Sequence, residues 1–321
     1  MPLDPDIEIR IASPADAAGI NQLYNQCHGD SRPLTGYHWK YGGFPDCRPV
    51  PPGYLAILDQ QVIGFYGVMS WQLSALGQIV DVVQPCDVCV DERYRGGELY
   101  QAIYDGFQRS QREFGRLAFG FPNAQALHIG TTRMGYQIQC GTGMWQRNGG
   151  RLTGDESIPI KLTATPPDSW FPALAEKTAA LGITTHRSRE FLEWRFRSFP
   201  GRPFPFVCFT AGEGPDPAGM MIAQTVPHQI RIYDLITQDA STLRAMLSHL
   251  TRVFPYYPLV HGVTDTAPYL SVLQDCGFTR RESGTVVTSI LNDRGESTPD
   301  AITDRIRQSQ EWFCTLTDTD M

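Results

Sequence analysis

The sequence predicts an α/β fold, an α+β arrangement on one mixed sheet, built twice in tandem with the second copy degenerate. Three observations predict it. Strand-like alternation and helix-like periodicity interleave in the order strand, helix, three antiparallel strands, helix, strand, helix, strand. Over residues 87–100 an apolar strand runs into a loop of arginine and glycine and then into an amphipathic helix. Finally, Met134-Gly135-Tyr136 returns as Cys276-Gly277-Phe278, 142 positions further on.

Ile7-Glu8-Ile9-Arg10-Ile11 alternates strictly and reads as a strand. Ser13-Pro14-Ala15-Asp16 opens a helix, with Ser13 as cap and Pro14 at the first position, and Ile20, Leu23, Tyr24 and Cys27 continue it. Residues 28–53 are rich in glycine, proline and aromatics and are expected to form a loop with one short helix. Residues 54–58 and 62–71 read as a hairpin around Asp59-Gln60-Gln61, and 79–90 as a further strand with a bulge at Pro85. Leu99, Ile103, Phe107 and Phe114 mark the next helix face, 117–121 a short strand, 124–134 a helix stopped by Gly135, and 136–145 a strand.

The second copy is weaker. Strands are expected at 204–209, 218–226 and 229–236, a helix at 242–253 and a strand at 259–263. Pro122-Asn123 is matched by Thr264-Asp265 at the same offset. Residues 235–240 hold neither glycine nor arginine, so no anion site is expected there. Phe191, Trp194 and Phe196 open this copy as packing residues, and Trp312 in the tail docks back, ahead of Asp318 and Asp320. The division expected is 1–155, a connection over 156–185, and 186–321.

A length of 321 residues allows one large domain or two ordinary ones, and 41% hydrophobic against 19% charged residues argues for a packed core. The net charge of −7 argues against a general nucleic-acid binder. No apolar run has the length of a membrane span and the first ten residues lack a signal-peptide core, so a cytoplasmic address and no membrane partner are expected. Cys86 and Cys89 form the one C-x-x-C, without a second pair to complete a zinc site; buried thiols, and no metal, are expected.

The loop carries the chemistry. Unpaired amides at a helix N-terminus together with Arg93 and Arg95 form a cradle for a phosphate or pyrophosphate.

This succession resembles the GNAT N-acyltransferase superfamily in a tandem arrangement. The hairpin through Asp59-Gln60-Gln61-Val62-Ile63-Gly64-Phe65 is similar to its second and third strands, residues 90–100 to its acyl-CoA loop, and Met134-Gly135-Tyr136 to its glycine–aromatic ending. Phe119-Gly120-Phe121-Pro122-Asn123 resembles a bacterial subgroup met in polysaccharide and amino-sugar pathways. The resemblance covers residues 7–150 well and 186–290 as a degenerate copy. In the register that starts at Arg93, Gly96 falls where the loop needs it, while Glu98 stands where a second small residue is usual.

The resemblance implies acetyl-CoA or another acyl-CoA as co-substrate, held by Cys89 and Val90 at the strand end and by Arg93, Arg95, Gly96 and Gly97. It implies direct acyl transfer to the amino group of a small acceptor such as an amino sugar or amino acid. A base with a pKa lifted by burial is expected near the bulge: Asp87, or Asp81. The helix over 124–134 lacks the tyrosine that commonly serves as acid; Asn123 and His128 are the substitutes. His38, Trp39, Tyr41 and Arg48 are candidates for the acceptor pocket. Two other readings stand beside this one: a silent ligand- or partner-binding module, and an aminoacyl-tRNA-dependent transferase, which the acidic balance disfavours. A homodimer is a further expectation.

Overall fold

The structure, a computed structural model, describes residues 4–42, 47–111, 117–163, 166–198, 200, 206–212, 216–290 and 301–319. The expectations at Phe114, at 204–205 and at Asp320 lie outside them.

The first elements follow their local signals. After β1 (Glu8–Ile11), the Asp16 carboxylate accepts the Ser13 backbone N–H at 2.8 Å with Pro14 inside the turn, a capping box that launches α1 (Ala17–His28). Within 28–53 the expected short helix is α2 (Leu34–Tyr41). β2 (Gly53–Leu58) and β3 (Gln61–Ala75) are joined by Asp59 and Gln60 at φ 49° and 63°. Two left-handed residues give a turn whose twist matches that of the strands. β4 (Gln78–Val90) folds back on β3. There follow α3 (Leu99–Gln111), which buries Leu99, Ile103 and Phe107 on one face, β5 (Leu117–Gly120), α4 (Ala124–Arg133) and β6 (Gln137–Arg147).

The segment 156–185, expected as a plain connection, has elements of its own. It holds β7 (Ile160–Thr163), which pairs with a later strand, α5 (Phe171–Ala179), which buries Leu174, and β8 (Thr184–Thr185), which pairs with β3. α6 (Arg189–Leu192) runs into a π turn over Glu193–Arg197, where Trp194 stacks on Trp39 with centroids 4.5 Å apart. The repeat then unfolds in order: β9 (Phe206–Ala211), β10 (Gly219–Val226), β11 (Gln229–Ile236), α7 (Ala240–Val253), β12 (Leu259–Thr264), α8 (Leu270–Asp275), β13 (Thr279–Ile290) and finally α9 (Ala301–Gln308).

All the strands named belong to one sheet, in the order β1-β2-β3-β4-β5-β13-β6-β12-β11-β10-β9-β7, with β8 paired to β3 off that path. The order is symmetric about the β13–β6 pair. Each repeat sends its last strand into the other: β13 lies between β5 and β6, and β6 between β13 and β12. The first residues of β5 and β12, and those of β6 and β13, are each 142 positions apart. Gly135 and Gly277 turn the chain into these exchanged strands at φ 66° and 81°, a conformation glycine adopts without steric cost.

Parallel pairing of β4 with β5 consists of Val83↔Ala118. Proline explains why it stops. The Val68 N–H is taken by Pro52 O on the far side of β3, so Val68 and Pro85 are a non-hydrogen-bonded pair, and the ring nitrogen of Pro85 faces β5. It has no hydrogen to give, and the strands part. The bulge expected at Pro85 lies two residues further on. Gly67 faces Cys86 and Phe65 faces Cys89, so Asp87 and Val88 together oppose Tyr66, with Asp87 at φ 48°.

In the second repeat β11 and β12 also stop pairing, after Ile232↔His261. There the chain's own tail fills the gap. Thr264 N donates to Cys314 O at 3.0 Å, Val263 bridges Thr315, and Thr317 Oγ1 donates to Tyr233 O at 3.0 Å. Trp312 docks as expected and is fully buried.

Candidate active site

The parting of β4 from β5 opens a cavity of about 480 Å³ through the sheet. Gln84, Pro85, Cys86, Asp87 and Val88 line one wall and residues 118–123 the other. Tyr24 and His28 of α1, Ala126 of α4, Tyr136 before β6 and Thr319 of the tail complete the lining.

At the end of β4 the loop residues 92–98 lead into α3. Asp91 caps the turn and holds the Arg93 guanidinium through both carboxylate oxygens, at 3.0 and 2.8 Å. Arg95 donates its Nε to Val90 O at 2.8 Å and is exposed. Among the described residues no acceptor takes the backbone amides of Gly96, Gly97 and Glu98, and the first-turn amides of α3 have none by helix geometry. Gly96 stands at φ 78° with open space where a Cβ would project. Glu98 is exposed, and its carbonyl accepts the Ala102 amide at 2.9 Å, which makes it the residue that opens α3. The loop thus offers unclaimed amides and the exposed guanidinium of Arg95, which bonds Val90 O and interacts with Cys27; Arg93 is already paired with Asp91. Cys89 and Val90 are laddered to Phe65 and Gly64 of β3, with Cys89 buried.

Asp87 is in the cavity wall, but its environment differs from the one expected. Lys40 donates to Oδ1 at 2.6 Å, Tyr41 donates to Oδ2 at 3.0 Å, and the Arg32 Nη1 also bonds Oδ2. The Lys40 side chain is 3% exposed and that of Asp87 2%. Burial pushes this carboxyl up; the charges of Lys40 and Arg32 outweigh it, and the pKa lies below the ordinary carboxylate value. The expected burial-raised base is therefore an ionised anchor between two cations. Arg32 is itself fixed by Asn21 Oδ1 at 2.8 Å and lies over the Tyr24 ring at 3.7 Å.

The remaining sequence candidates separate. Asn123 lines the cavity and caps α4, its Oδ1 accepting the Ala126 amide at 2.9 Å. His128 is exposed on α4 and does not line the cavity, because the helix turns that position to solvent. Asp81 accepts from Gln72 at 3.0 Å across the β3–β4 ladder, away from the cavity lining. His38 is exposed, and Trp39 serves the contact with Trp194. Sequence reasoning missed Tyr24, His28, Gln84 and Thr319 in the lining. The i, i+4 pair Tyr24 and His28 on an already recognised helix was the available signal.

On the α3–α4 side, the Tyr136 hydroxyl meets that of Tyr66 at 3.3 Å. Burial holds both phenols above their ordinary value, so both are protonated at neutral pH. Among the described residues no group of three or more His, Cys, Asp or Glu side chains could hold a metal, and no helix is long and apolar enough to cross a membrane.

This fold, a mixed sheet that parts between its fourth and fifth strands, is shared with solved structures described as GCN5-related N-acetyltransferases. This chain is similar to a GCN5-related N-acetyltransferase from Anabaena variabilis ATCC 29413, with TM-score 0.72 and 14% identity over 89% of this chain and 73% of that one. It is similar to another from Kribbella flavida, with TM-score 0.66 and 10% identity over 89% and 71%. A third likeness is to Eis1 from Mycobacterium abscessus, with TM-score 0.60 and 13% identity over 89% and 73%. At these identities the likeness is one of fold. No family model matches the chain, and no curated protein matches it.

Proposed function

We propose that this protein is an acyl-CoA-dependent N-acyltransferase that acts on the amino group of a small metabolite, an amino sugar or amino acid. The observation that carries this reading is the cavity at the β4–β5 parting together with a loop of unclaimed amides at the α3 N-terminus, which follows the end of the same strand β4. A pyrophosphate fits such amides and the macrodipole of α3, with Arg95 alongside; the pantetheine arm then follows the parted strands. Glu98, turned outward, leaves the loop clear.

In the reaction the neutral amine attacks the thioester carbonyl. A C–N bond forms, the C–S bond breaks, and one amine proton ends on the thiolate sulfur. Tyr136 is the residue assigned to protonate that sulfur, in place of Asn123 and His128: it lines the cavity, and burial keeps its hydroxyl protonated. Asp87, locked between Lys40 and Arg32, shapes the acceptor mouth and keeps it polar.

Titration calorimetry with acetyl-CoA is the direct test; absence of heat with acetyl-CoA and with longer acyl-CoAs would remove the proposal. Arg95→Ala is expected to weaken acetyl-CoA about tenfold, and less so at high salt, because one charge-assisted contact to phosphate is lost. Tyr136→Phe keeps the ring and removes the acid. It is expected to lower kcat by about a hundredfold with the acetyl-CoA Kd unchanged. An unaltered kcat would reassign the acid.

A further inference from the structure

Gln84 is 1% exposed, lines the cavity, and stands one residue past the last β4–β5 pair, Val83↔Ala118. Its Nε2 donates to the Asp318 carbonyl oxygen at 2.9 Å, where the tail emerges from the second repeat. That bond settles which end of the amide is which: the oxygen is the other end. Gln84 Oε1 is buried and has no hydrogen-bond partner among the described residues. A buried amide oxygen without a donor costs about 1–3 kcal/mol, and such a cost at a cavity wall is offset when a ligand brings the donor.

We infer that Gln84 Oε1 receives an N–H of the acceptor's nucleophilic amine and so selects nitrogen over oxygen nucleophiles. The inference rests on the acyltransferase reading and names what that site recognises. A neutral primary amine has two hydrogens. One stays bonded to Gln84 through the attack, and the other is the proton that finally reaches the coenzyme sulfur. The nitrogen lone pair is then left facing the thioester carbon. An alcohol has a single hydrogen, which it must give up to react, so with an alcohol Oε1 is orphaned in the transition state. A site whose buried acceptor is left unpaired by the wrong substrate discriminates strongly. The tail contributes by holding the amide: with Nε2 committed to Asp318 O, the side chain cannot flip and present a donor to the amine.

The test uses the full chain, acetyl-CoA and n-butylamine as a minimal acceptor, with n-butanol as its oxygen counterpart. Calorimetry with acetyl-CoA comes first, since failure there removes the acyltransferase reading itself. Given binding, thiol release with n-butylamine and none with n-butanol is expected. Gln84→Met is expected to lower kcat for the amine by about tenfold or more while the acetyl-CoA Kd stays within about twofold. Gln84→Glu supplies a readout that a merely structural role would not move. Burial favours the neutral carboxyl, which donates to Asp318 O and still accepts from the amine. Ionisation removes that donor and sets a charge against the carbonyl. The ratio of Gln84→Glu to wild-type turnover is therefore expected to fall as pH rises; the other ionisable groups of the lining, Asp87, His28, Tyr24, Cys86 and Tyr136, are common to both proteins and cancel in the ratio. The inference is overturned by unchanged turnover in Gln84→Met, by an equal loss of acetyl-CoA affinity, or by no thiol release with n-butylamine where acetyl-CoA binds. If Gln84→Met does not fold, a ratio for Gln84→Glu that is flat with pH overturns it.

Discussion

Asp87→Asn is expected to lower the unfolding free energy by about 3–5 kcal/mol, because it leaves Lys40 and Arg32 beside a neutral amide in a buried site. The Lys40 side chain is 3% exposed, so its ammonium cannot recover water without moving α2. Backbone strain is not the cause. Asn tolerates the left-handed region in which Asp87 stands at φ 48°. Replacing the pair together, Asp87→Asn with Lys40→Met, is expected to return much of the loss, since a buried charge and its partner leave at once. The pH dependence has a definite sign. The folded carboxyl titrates below its ordinary value, so the stability it contributes is complete above the unfolded value of about 3.9 and is lost as pH falls through the lower folded one. Wild type and variant should converge in strong acid. Urea midpoints across acid pH measure this; equal midpoints at neutral pH would show that the two cations do not depend on Asp87. Turnover in the folded variant is expected to fall as well, with acetyl-CoA affinity nearly intact, because Asp87 shapes the acceptor mouth rather than the coenzyme loop.

Much of the architecture was legible because it is written in local signals. The Ser13–Asp16 cap, the two-residue turn at Asp59-Gln60 and the glycines at 135 and 277 each act within a few residues, and each could be read as such. The offset of 142 was visible because both copies need glycine at the same left-handed corner. Pro85 was read as a bulge, whereas its missing N–H ends the pairing of β4 with β5 and the bulge falls at Asp87-Val88. Both are places where a strand leaves regularity, and a proline alone does not say which. The strand exchange was not legible. Nothing local to β13 states that it pairs with β5 and β6 rather than beside β12, since register between distant strands is settled by the whole packed sheet. The site suffered in the same way. Arg32 and Lys40 meet Asp87 from 55 and 47 residues away, and Gln84 meets Asp318 from 234 away. Periodicity identified the helix that carries His128 but not which side would be turned to solvent.

The second large effect is expected at Arg187. It is fully buried, donating Nε to Asp234 at 2.7 Å and Nη2 to Asp318 at 2.9 Å, with Nη1 on Thr184 Oγ1 and Thr185 O. One cation serves two carboxylates. Burial therefore pushes Asp234 above its ordinary value even though Arg187 draws it down. Arg187→Met would leave two buried carboxylates facing each other through Thr315, at a cost of about 3–5 kcal/mol or more. Arg187→Lys is expected to recover little, because a single ammonium cannot reproduce a fork that bonds two carboxylates and a threonine pair. As with Asp87→Asn, the deficit shrinks as pH falls, but here because a carboxylate left in the variant takes up a proton. Asp234, raised in the folded state, binds its proton more tightly there than in the unfolded chain, so the variant gains relative stability as pH falls. The damage should be local before it is global, since Asp318 anchors the tail that fills the β11–β12 gap. Hydrogen exchange at Thr264, whose amide donates to Cys314 O, and at Thr315, whose amide donates to Asp318 Oδ2 at 2.6 Å, is expected to quicken first. Loss of the tail also releases Gln84 Nε2, so acceptor turnover should fall in a variant that still binds acetyl-CoA. Slow exchange at both amides, together with an unchanged urea midpoint, would show that the tail is held by Trp312 and the strand bonds without its buried charges.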